Sequence, residues 1–287
     1  MIRKLLGIAP KETADGSFSP SPFALKLATV SKTDYELVRY NNPFKNSLLK
    51  ILVLCTEEKN MVMQNGKAFS TGNHPVELLV PLLHFRQAGF VCDMVTPTGQ
   101  PAQIEHWAMP KEDEAVKGIY AAYKEALEQP LSLQAIIEDG LDNNSPYYAI
   151  FIPGGHGAML GLPEDKNVAA LLLWAHQNNR FTLSICHGPA ALLAAAQLDG
   201  EFIYKGYKIA AFPDKVDKQT PMIGYIPGKM PWYFGKKLQQ LGLTIINQKA
   251  DDSCFVDRRL ITGASPAAAH KFGQLATQTL LDPTAEG

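Results

Sequence analysis

Cys186 is the residue of this sequence best placed to do chemistry. It directly follows a predicted strand, residues 181–185, and directly precedes a predicted helix. A thiol at a helix N-terminus meets unpaired N–H groups and the positive end of the helix dipole, and both favour the reactive thiolate. Pro189 suits the first helical turn because its missing N–H is not needed there. A free cysteine is also commonly a small buried apolar residue, so the local pattern alone leaves both interpretations open.

A glycine-rich turn, Pro-Gly-Gly-His-Gly at residues 153–157, follows the apolar run 148–152. Glycines at such a place let the backbone approach a ligand closely and direct N–H groups at a developing oxyanion. Gly154 and Gly155 are therefore candidate substrate-binding residues, together with the backbone of His187, whose side chain is also a candidate base. By itself a glycine-rich turn is weak evidence, since it also forms ordinary connections between strands and helices.

Glu77 is the third candidate for a chemical role. It lies in the first turn of a predicted helix, where an acidic side chain commonly faces solvent and complements the helix dipole. Its neighbours in the sequence are apolar, which also permits a position inside the site. Burial beside a thiol would raise the pKa of the carboxyl group, which could then exchange a proton with sulfur or with substrate.

The elements that position these residues alternate between strands and helices. Such alternation predicts an α/β fold, with a parallel sheet sandwiched by helices. Ligands of these sheets bind beyond the carboxyl ends of the strands, so chemistry is expected just after Leu54, Ile152 and Ile185. The predicted strands are 50–54, 90–95, 148–152, 181–185, 208–212, 244–246 and 259–262, and helices are predicted over 75–88, 165–178 and 232–241 and from about 189 and 265.

The sequence pattern predicts two parts of the chain. Residues 47–99 and 145–282 carry the alternating pattern and are predicted to form the catalytic core. Residues 1–46 are rich in turn-forming side chains, and residues 100–144 contain a polar, helix-prone segment. These two stretches are predicted to form an N-terminal arm and an inserted, smaller cap subdomain.

The composition is that of an ordinary soluble globular protein, with 46% hydrophobic residues, 19% charged residues and a net charge of -1. This balance provides no electrostatic attraction to nucleic acid or to a membrane surface. No apolar run approaches the roughly 18 residues of a membrane span. Residues 1–6 begin like a signal peptide but lack a following cleavage site, so no leader is expected. The four cysteines are widely spaced, which predicts free thiols in a reducing cytoplasm.

Several motifs together resemble those of the PfpI superfamily, and more narrowly those of its HchA-type heat-shock branch. The resemblance runs from about residue 30 to the end of the chain. The motifs are Gly-Asn-His-Pro-Val-Glu at 72–77, Pro-Gly-Gly-His-Gly-Ala at 153–158, Cys-His-Gly-Pro-Ala at 186–190, Ala-Phe-Pro-Asp at 211–214, Tyr-Ile-Pro-Gly at 225–228, Trp-Tyr-Phe-Gly at 232–235 and Leu-Ile-Thr-Gly at 260–263.

The resemblance implies a flavodoxin-like core, a smaller cap and a homodimer. It also implies cofactor-independent chemistry on small dicarbonyls: a glyoxalase III that converts methylglyoxal to lactate, and a deglycase that repairs proteins and nucleotides glycated by glyoxal or methylglyoxal. The alternative that it implies is a holding chaperone that binds unfolding proteins through apolar surface. A cysteine peptidase is a third alternative, disfavoured because a cap would narrow the cleft.

The resemblance also implies roles for individual residues. By motif match, Cys186 would be the nucleophile, His187 its partner and Glu77 the acidic residue beside the sulfur. The third member of the triad would be an acid after the Phe-Pro-Asp turn, where this chain offers two carboxylates. Asp217 is the preferred match and Asp214 the alternative; either would fix the tautomer and orientation of the imidazole.

Enterobacterial members of the branch hold a metal between core and cap with two histidines and one glutamate. The matching positions of this chain are Arg86, Val91 and Tyr123. Val91 has no ligand atom, and Arg86 would repel a cation. His84 and His106 lie nearby in the sequence, but a lone histidine is more often a core or surface residue than a ligand. We therefore predict no zinc at this place.

Overall fold

Continuous apolar runs of the sequence form the inner strands of a seven-stranded sheet. The computed structural model describes residues 7–43 and 49–282 of the chain. The predicted boundary between residues 46 and 47 and the leader-like residues 1–6 lie outside the described residues. The strands are β1 (Lys11–Glu12), β2 (Phe18–Ser19), β3 (Lys50–Leu54), β4 (Asn60–Val62), β5 (Ala68–Ser70), β6 (Val91–Thr96), β7 (Leu131–Ser132), β8 (Tyr147–Ile152), β9 (Phe181–Ile185), β10 (Lys208–Ile209), β11 (Thr244–Ile245), β12 (Cys254–Asp257) and β13 (Leu260–Gly263).

The main sheet has the strand order β12-β13-β9-β8-β3-β6-β7. All neighbouring strands run parallel except β12 and β13, which are antiparallel. Every residue of β8 and β9 is buried, as expected for parallel strands covered on both faces. The predicted α/β class, a mostly parallel sheet flanked by helices, is confirmed.

Helices pack on both faces of this sheet. They are α1 (Pro22–Ala28), α2 (Pro75–Gln87), α3 (Glu114–Glu128), α4 (Leu133–Asp139), α5 (Lys166–Gln177), α6 (Asp214–Asp217), α7 (Phe234–Gln240) and α8 (Ala269–Leu280). Alternate side chains of β3 divide between two apolar clusters. Ile51 and Val53 pack with α2, α3 and α8, whereas Leu52 and Leu54 pack with α5 and with the 3-10 segment Gly188–Gln197. Each such buried aliphatic side chain stabilises the fold by about 1.5–3 kcal/mol.

Two predicted strands do not belong to the main sheet. β10 and β11 instead pair with each other in a separate parallel sheet of two strands. Just after β10, backbone N–H groups donate to side chains and not to a neighbouring strand, so the strand ends there. The Ala210 N–H donates to the Thr262 hydroxyl at 2.8 Å, and the Ala211 N–H donates to the Asn247 side chain at 3.0 Å.

Parts of the predicted arm and cap pack closely on the core. Within residues 100–144, β7 is an edge strand of the main sheet beside β6. Residues of the arm form β1 and β2 of a four-stranded sheet whose other strands, β4 and β5, come from residues 60–70. The arm is also tied to α3, because the Thr33 hydroxyl donates to the Asp113 carboxylate at 2.5 Å. The division of the chain into core and cap remains a prediction.

The described part of the chain contains no helix that combines the length and the apolar character needed to cross a bilayer.

Candidate active site

Cys186 occupies a sharp turn at the carboxyl end of β9. Its φ of 61° lies in the left-handed region, which residues other than glycine rarely adopt. Two backbone hydrogen bonds hold the turn: the Cys186 N–H donates to Gly263 at 2.8 Å, and its carbonyl accepts from the Phe212 N–H at 2.9 Å. A side chain at Gly188 would collide with the Ile152 carbonyl oxygen, so the chain after the turn needs glycine there. A strained non-glycine residue held in this way is typical of functional sites.

The turn brings Cys186 together with His187 and Asp217. The Cys186 Sγ lies 3.2 Å from His187 Nδ1, and His187 Nε2 lies 2.9 Å from Asp217 Oδ2. An ionised carboxylate can only accept, so Nε2 carries the hydrogen and the lone pair of Nδ1 faces the thiol. Although burial acts to raise the pKa of Asp217, His187 and then His156 hold it well below its usual value. The His187 ring stacks on Phe212, with centroids 4.7 Å apart.

The two candidate acids of the Phe-Pro-Asp turn have different partners. Asp217 is buried and contacts the His187 ring. Asp214 instead accepts hydrogen bonds from the backbone N–H groups of Gly235 at 3.0 Å and Lys236 at 2.8 Å, at the start of α7. The structure therefore brings Asp217, and not Asp214, to the imidazole, and Asp214 stabilises a helix end.

Glu77 lies fully buried beside the sulfur. Any side chain at Gly154 would collide with the Glu77 carboxyl group, so this glycine makes room for it. Burial raises the pKa of Glu77 well above its usual value, with a further contribution from Glu105; the Cys186 thiol and the Gly155 N–H oppose this shift. Burial thus favours the protonated form of Glu77, which can donate a hydrogen bond or a proton.

The thiol itself is only 3% exposed. Burial raises the pKa of Cys186, the neighbouring Glu77 and then Asp217 raise it further, and the backbone N–H of His187 opposes the shift. In the resting site, burial thus outweighs the helix-terminus effect that the sequence predicts. The thiol therefore needs a base when it reacts, and the nearest lone pair is that of His187 Nδ1.

Three buried residues of the site were not selected from the sequence. His156 Nε2 lies 3.1 Å from Asp217 Oδ1, so Asp217 bridges two histidines. Glu105 accepts from the Thr71 hydroxyl at 2.7 Å, and burial raises its pKa to about 7 against the effect of His156. His74 precedes α2, and burial lowers its pKa to about 3. The position of His156 inside the glycine-rich turn was a usable signal, whereas no motif marks Glu105.

These side chains line a cavity of about 700 Å³ that opens beside the N-terminal arm. Its polar wall lies around the sulfur, and apolar side chains of the arm and of residues 212–225 complete it. The cysteine, histidine and glutamate side chains that line it are Cys186, His187, His156, Glu77, Glu105 and His74, and the Gly155 backbone lines it as well. The volume is ample for a three-carbon dicarbonyl and for an adduct on a larger group.

The positions that match the metal site of relatives do not fit a metal. Arg86 brings a permanent cation, and Val91 has no ligand atom. The Tyr123 hydroxyl interacts with the Cys92 thiol, and the Arg86 charge acts on it. Nearby, both ring nitrogens of His84 have protein partners: Tyr40 Oη at 2.6 Å and His270 Nδ1 at 3.0 Å. This agrees with the expectation from the sequence, which remains a prediction.

The raised pKa of Glu77 predicts a pH-dependent stability. Glu77 binds its proton more tightly in the folded chain than in the unfolded chain, whose value is near 4.5. Stability from this group is therefore full below that value and is lost as the pH rises. Glu77→Gln removes the effect. The free energy of unfolding of the variant, taken relative to that of wild type, should therefore increase from about pH 5 to about pH 8. Urea unfolding across this range measures it, with exposed Glu36→Gln as control; a constant difference would contradict the assignment.

Comparison with known proteins places this site in a family. A model of the DJ-1/PfpI family matches residues 68–217. The protein/nucleic acid deglycase HchA of Pseudomonas aeruginosa (strain UCBPP-PA14) is 44% identical over 276 residues, covering 95% of this chain and 94% of the relative. HchA of Escherichia coli (strain K12 / DH10B) is 45% identical over 267 residues, covering 93% of each chain.

A solved structure agrees at the level of the fold. The crystal structure of glyoxalase III from Candida albicans superimposes with a TM-score of 0.62 at 24% sequence identity, and covers 80% of this chain and 97% of that one. At this identity the similarity bears on the fold alone. The family model spans more than half of the chain and includes the Cys186 turn and Asp217. The chain belongs to the DJ-1/PfpI family.

Proposed function

We propose that this chain is a cofactor-independent deglycase with glyoxalase III activity. It converts methylglyoxal to lactate and repairs proteins and nucleotides glycated by glyoxal or methylglyoxal. The observation that carries the proposal is the Cys186 thiol, 3.2 Å from the His187 Nδ1 lone pair, in a cavity that also contains Glu77. The relatives named protein/nucleic acid deglycase, at 44–45% identity over nearly the whole chain, support the same reaction class.

The first step forms a carbon–sulfur bond. The thiol passes its proton to His187 Nδ1 as sulfur attacks the aldehyde carbon of methylglyoxal. Asp217 accepts from the other ring nitrogen and stabilises the imidazolium that results. The carbonyl oxygen becomes an oxyanion. Two backbone N–H groups can donate to it: that of His187, beside the sulfur, and that of Gly155, beside Glu77. Protonation of this oxygen by Glu77 completes a hemithioacetal.

The second step moves hydrogen between the two carbons. The ionised Glu77 removes the proton from the carbon bonded to sulfur while the His187 imidazolium protonates the ketone oxygen, which yields an enediol. Glu77 then returns its proton to the neighbouring carbon and takes up the hydroxyl proton of the carbon bonded to sulfur. The former aldehyde carbon is thereby oxidised to a thioester, and the former ketone carbon is reduced to an alcohol. Water then hydrolyses the lactoyl thioester, which releases lactate and restores the thiol. The redox change is internal to the substrate, so no electron acceptor is required.

The deglycase reaction reaches the same hemithioacetal by a different first step. In the first adduct of methylglyoxal with an amine, the carbon that was the aldehyde carries a hydroxyl group and the amine nitrogen. Attack by the Cys186 sulfur forms a carbon–sulfur bond as the carbon–nitrogen bond breaks, and the amine leaves with the thiol proton. The product is the same hemithioacetal. The opening of the cavity beside the N-terminal arm gives room for the group that carries the amine.

A holding chaperone is the alternative function, and one observation favours it. Large apolar side chains are exposed along the arm, with Phe23 43%, Leu27 62% and Val30 52% accessible. Leu27 and Val30 also border the catalytic cavity. Exposed apolar surface of this kind can bind unfolding chains. The proposal also includes a homodimer, which the family resemblance implies, and a cytoplasmic location, which the widely spaced cysteines favour.

Replacement of the nucleophile separates the two functions. Cys186→Ala should lower lactate formation from methylglyoxal by about 10³-fold or more, because no covalent intermediate can form. Cys254→Ala is the control, since Cys254 lies on β12 away from the cavity lining. Lactate is measured with protein that has been treated with a chelator. Cys186→Ala with near wild-type turnover would overturn the proposal, and its effect on the aggregation of a heated client reports the chaperone function separately.

The acids of the Phe-Pro-Asp turn offer a matched pair of variants. Asp217→Asn should lower kcat by about 10²–10⁴-fold, because an amide can hold His187 in the wrong tautomer. Asp214→Asn should leave kcat nearly unchanged, because Asp214 does not contact the imidazole and asparagine keeps one of its two hydrogen bonds to the start of α7. Steady-state kinetics on folded protein, checked by circular dichroism, distinguish the two. Equal losses in both variants would contradict the assignment of Asp217.

A further inference from the structure

Asp217 is an ionised carboxylate that is buried between two histidine rings. One oxygen contacts His187 Nε2 at 2.9 Å and the other contacts His156 Nε2 at 3.1 Å. Neither Lys nor Arg forms an ion pair with Asp217 in the described part of the chain. A buried carboxylate is stabilised by a compensating charge, and these two rings are the ionisable groups that contact its oxygens.

In the resting site, before the reaction creates a second negative charge, only one of the two rings can carry that charge. The rings of His156 and His187 lie with their centroids 4.1 Å apart. Two imidazolium ions at this separation in a buried site would repel each other strongly. The resting group therefore contains an ionised Asp217, one protonated histidine and one neutral histidine. The two histidines share the extra proton and titrate as a coupled pair.

The surroundings of the two rings are not equivalent. His156 lies between Asp217 and a second carboxyl group, that of Glu105, which acts on it electrostatically. His187 lies between Asp217 and the Cys186 thiol, and its ring stacks on Phe212. Glu105, whose pKa of about 7 leaves part of it ionised at neutral pH, adds negative charge beside His156, so the shared proton is more stable on that ring than on His187.

We propose that His156 is a positioning residue that carries the cation balancing Asp217 and so keeps His187 neutral, with its Nδ1 lone pair available to the Cys186 thiol. The inference rests on the proposed function, because it concerns how the base of that reaction is kept ready. His156 itself touches neither the sulfur nor the reacting carbons in this scheme. It acts through Asp217 and through the charge that it places beside His187.

The directions of the pKa shifts agree with this arrangement. Burial acts to lower the pKa of His156, but Asp217 and Glu105 outweigh it and raise the value. For His187, burial and then the neighbouring His156 lower the pKa, against the opposite effect of Asp217. The histidine that faces the thiol is thus the one that stays neutral.

Other titratable groups around the two rings do not disturb this assignment. Burial lowers the pKa of His74 to about 3 and raises the pKa values of Glu77 and Tyr225, so these three are uncharged at neutral pH. Asp214 acts on His187 only as a more distant charge, and its oxygens are held by the start of α7. The groups that face the two rings are Cys186, Glu77, Glu105, His74, Asp214, Asp217 and Tyr225.

The test is nitrogen NMR of the histidine rings in protein labelled with ¹⁵N-histidine. The wild-type spectrum at neutral pH should show His156 doubly protonated, and His187 neutral with hydrogen on Nε2. In His156→Gln, which retains an N–H donor for Asp217 but no charge, the pKa of His187 should rise by about one unit. His176→Gln, an exposed histidine on α5, is the matched control and should leave the His187 titration unchanged.

Kinetics provide a second readout that a purely structural role would not move. Loss of the His156 cation should shift the acid limb of the kcat/KM profile of lactate formation upward by about one pH unit. KM should stay within about twofold of wild type. A fall in kcat at every pH without a shift of the acid limb would overturn the inference, because it would show that His156 only supports the packing of the site.

The outcomes also separate this inference from the proposed function. A neutral His156 in the wild-type spectrum at neutral pH would overturn the inference, whatever the variants do and whether or not His156→Gln folds. Because the ring spectra need no substrate, they decide the inference even for a chain that fails to convert methylglyoxal. Such a failure would overturn the proposed function alone.

Discussion

The left-handed turn at Cys186 is the constraint on which the rest of the site depends. The β9 strand ends there, and the backbone must reverse sharply to place the sulfur in the cavity instead of in the sheet. The conformation is unfavourable for a side chain, so its neighbours have to hold it. β13 and Phe212 do so through backbone hydrogen bonds on either side of Cys186. The sheet order, with β9 between β13 and β8, therefore contributes directly to the chemistry.

Burial of ionisable groups is the second organising feature of the site. Two glutamates and three histidines line the cavity with the sulfur, one aspartate contacts two of these histidines, and all six residues are buried. Desolvation keeps Glu77 protonated and His74 neutral, whereas Asp217 stays ionised because two imidazoles contact it. The site thus contains a proton donor and a base side by side at one pH. Such a separation of pKa values is what general acid–base chemistry requires.

The strands that carry the site could be predicted because their signals are local. β3 and β8 are largely apolar runs, and the predicted range 181–185 coincides with the observed strand β9. Pro75 and Gly89 mark the ends of α2 through their own backbones: proline fits the first helical position, and glycine readily adopts the positive φ that ends a helix. The thiol turn and the double glycine follow these strands directly, so their meeting at one edge of the sheet could also be predicted.

The remaining features depend on partners that are distant in the sequence. β10 and β11 carry the pattern of strands, but hydrogen bonds to Thr262 and Asn247 decide that the chain leaves the strand after β10. The spacing of Asp214 and Asp217 did not show which of them faces the imidazole, because the answer depends on where α7 begins. Glu105 comes from a stretch without a motif.

Covalent catalysis by Cys186 is the central claim, and mass spectrometry of protein quenched in acid during methylglyoxal turnover tests it most directly. A lactoyl thioester and its hemithioacetal precursor both add the mass of one methylglyoxal to the protein. Covalent catalysis predicts this added mass on the peptide that contains Cys186 in wild-type protein, and its absence from that peptide in Cys186→Ala. Continued lactate formation with the Cys186 peptide unmodified, under saturating methylglyoxal, would contradict the account.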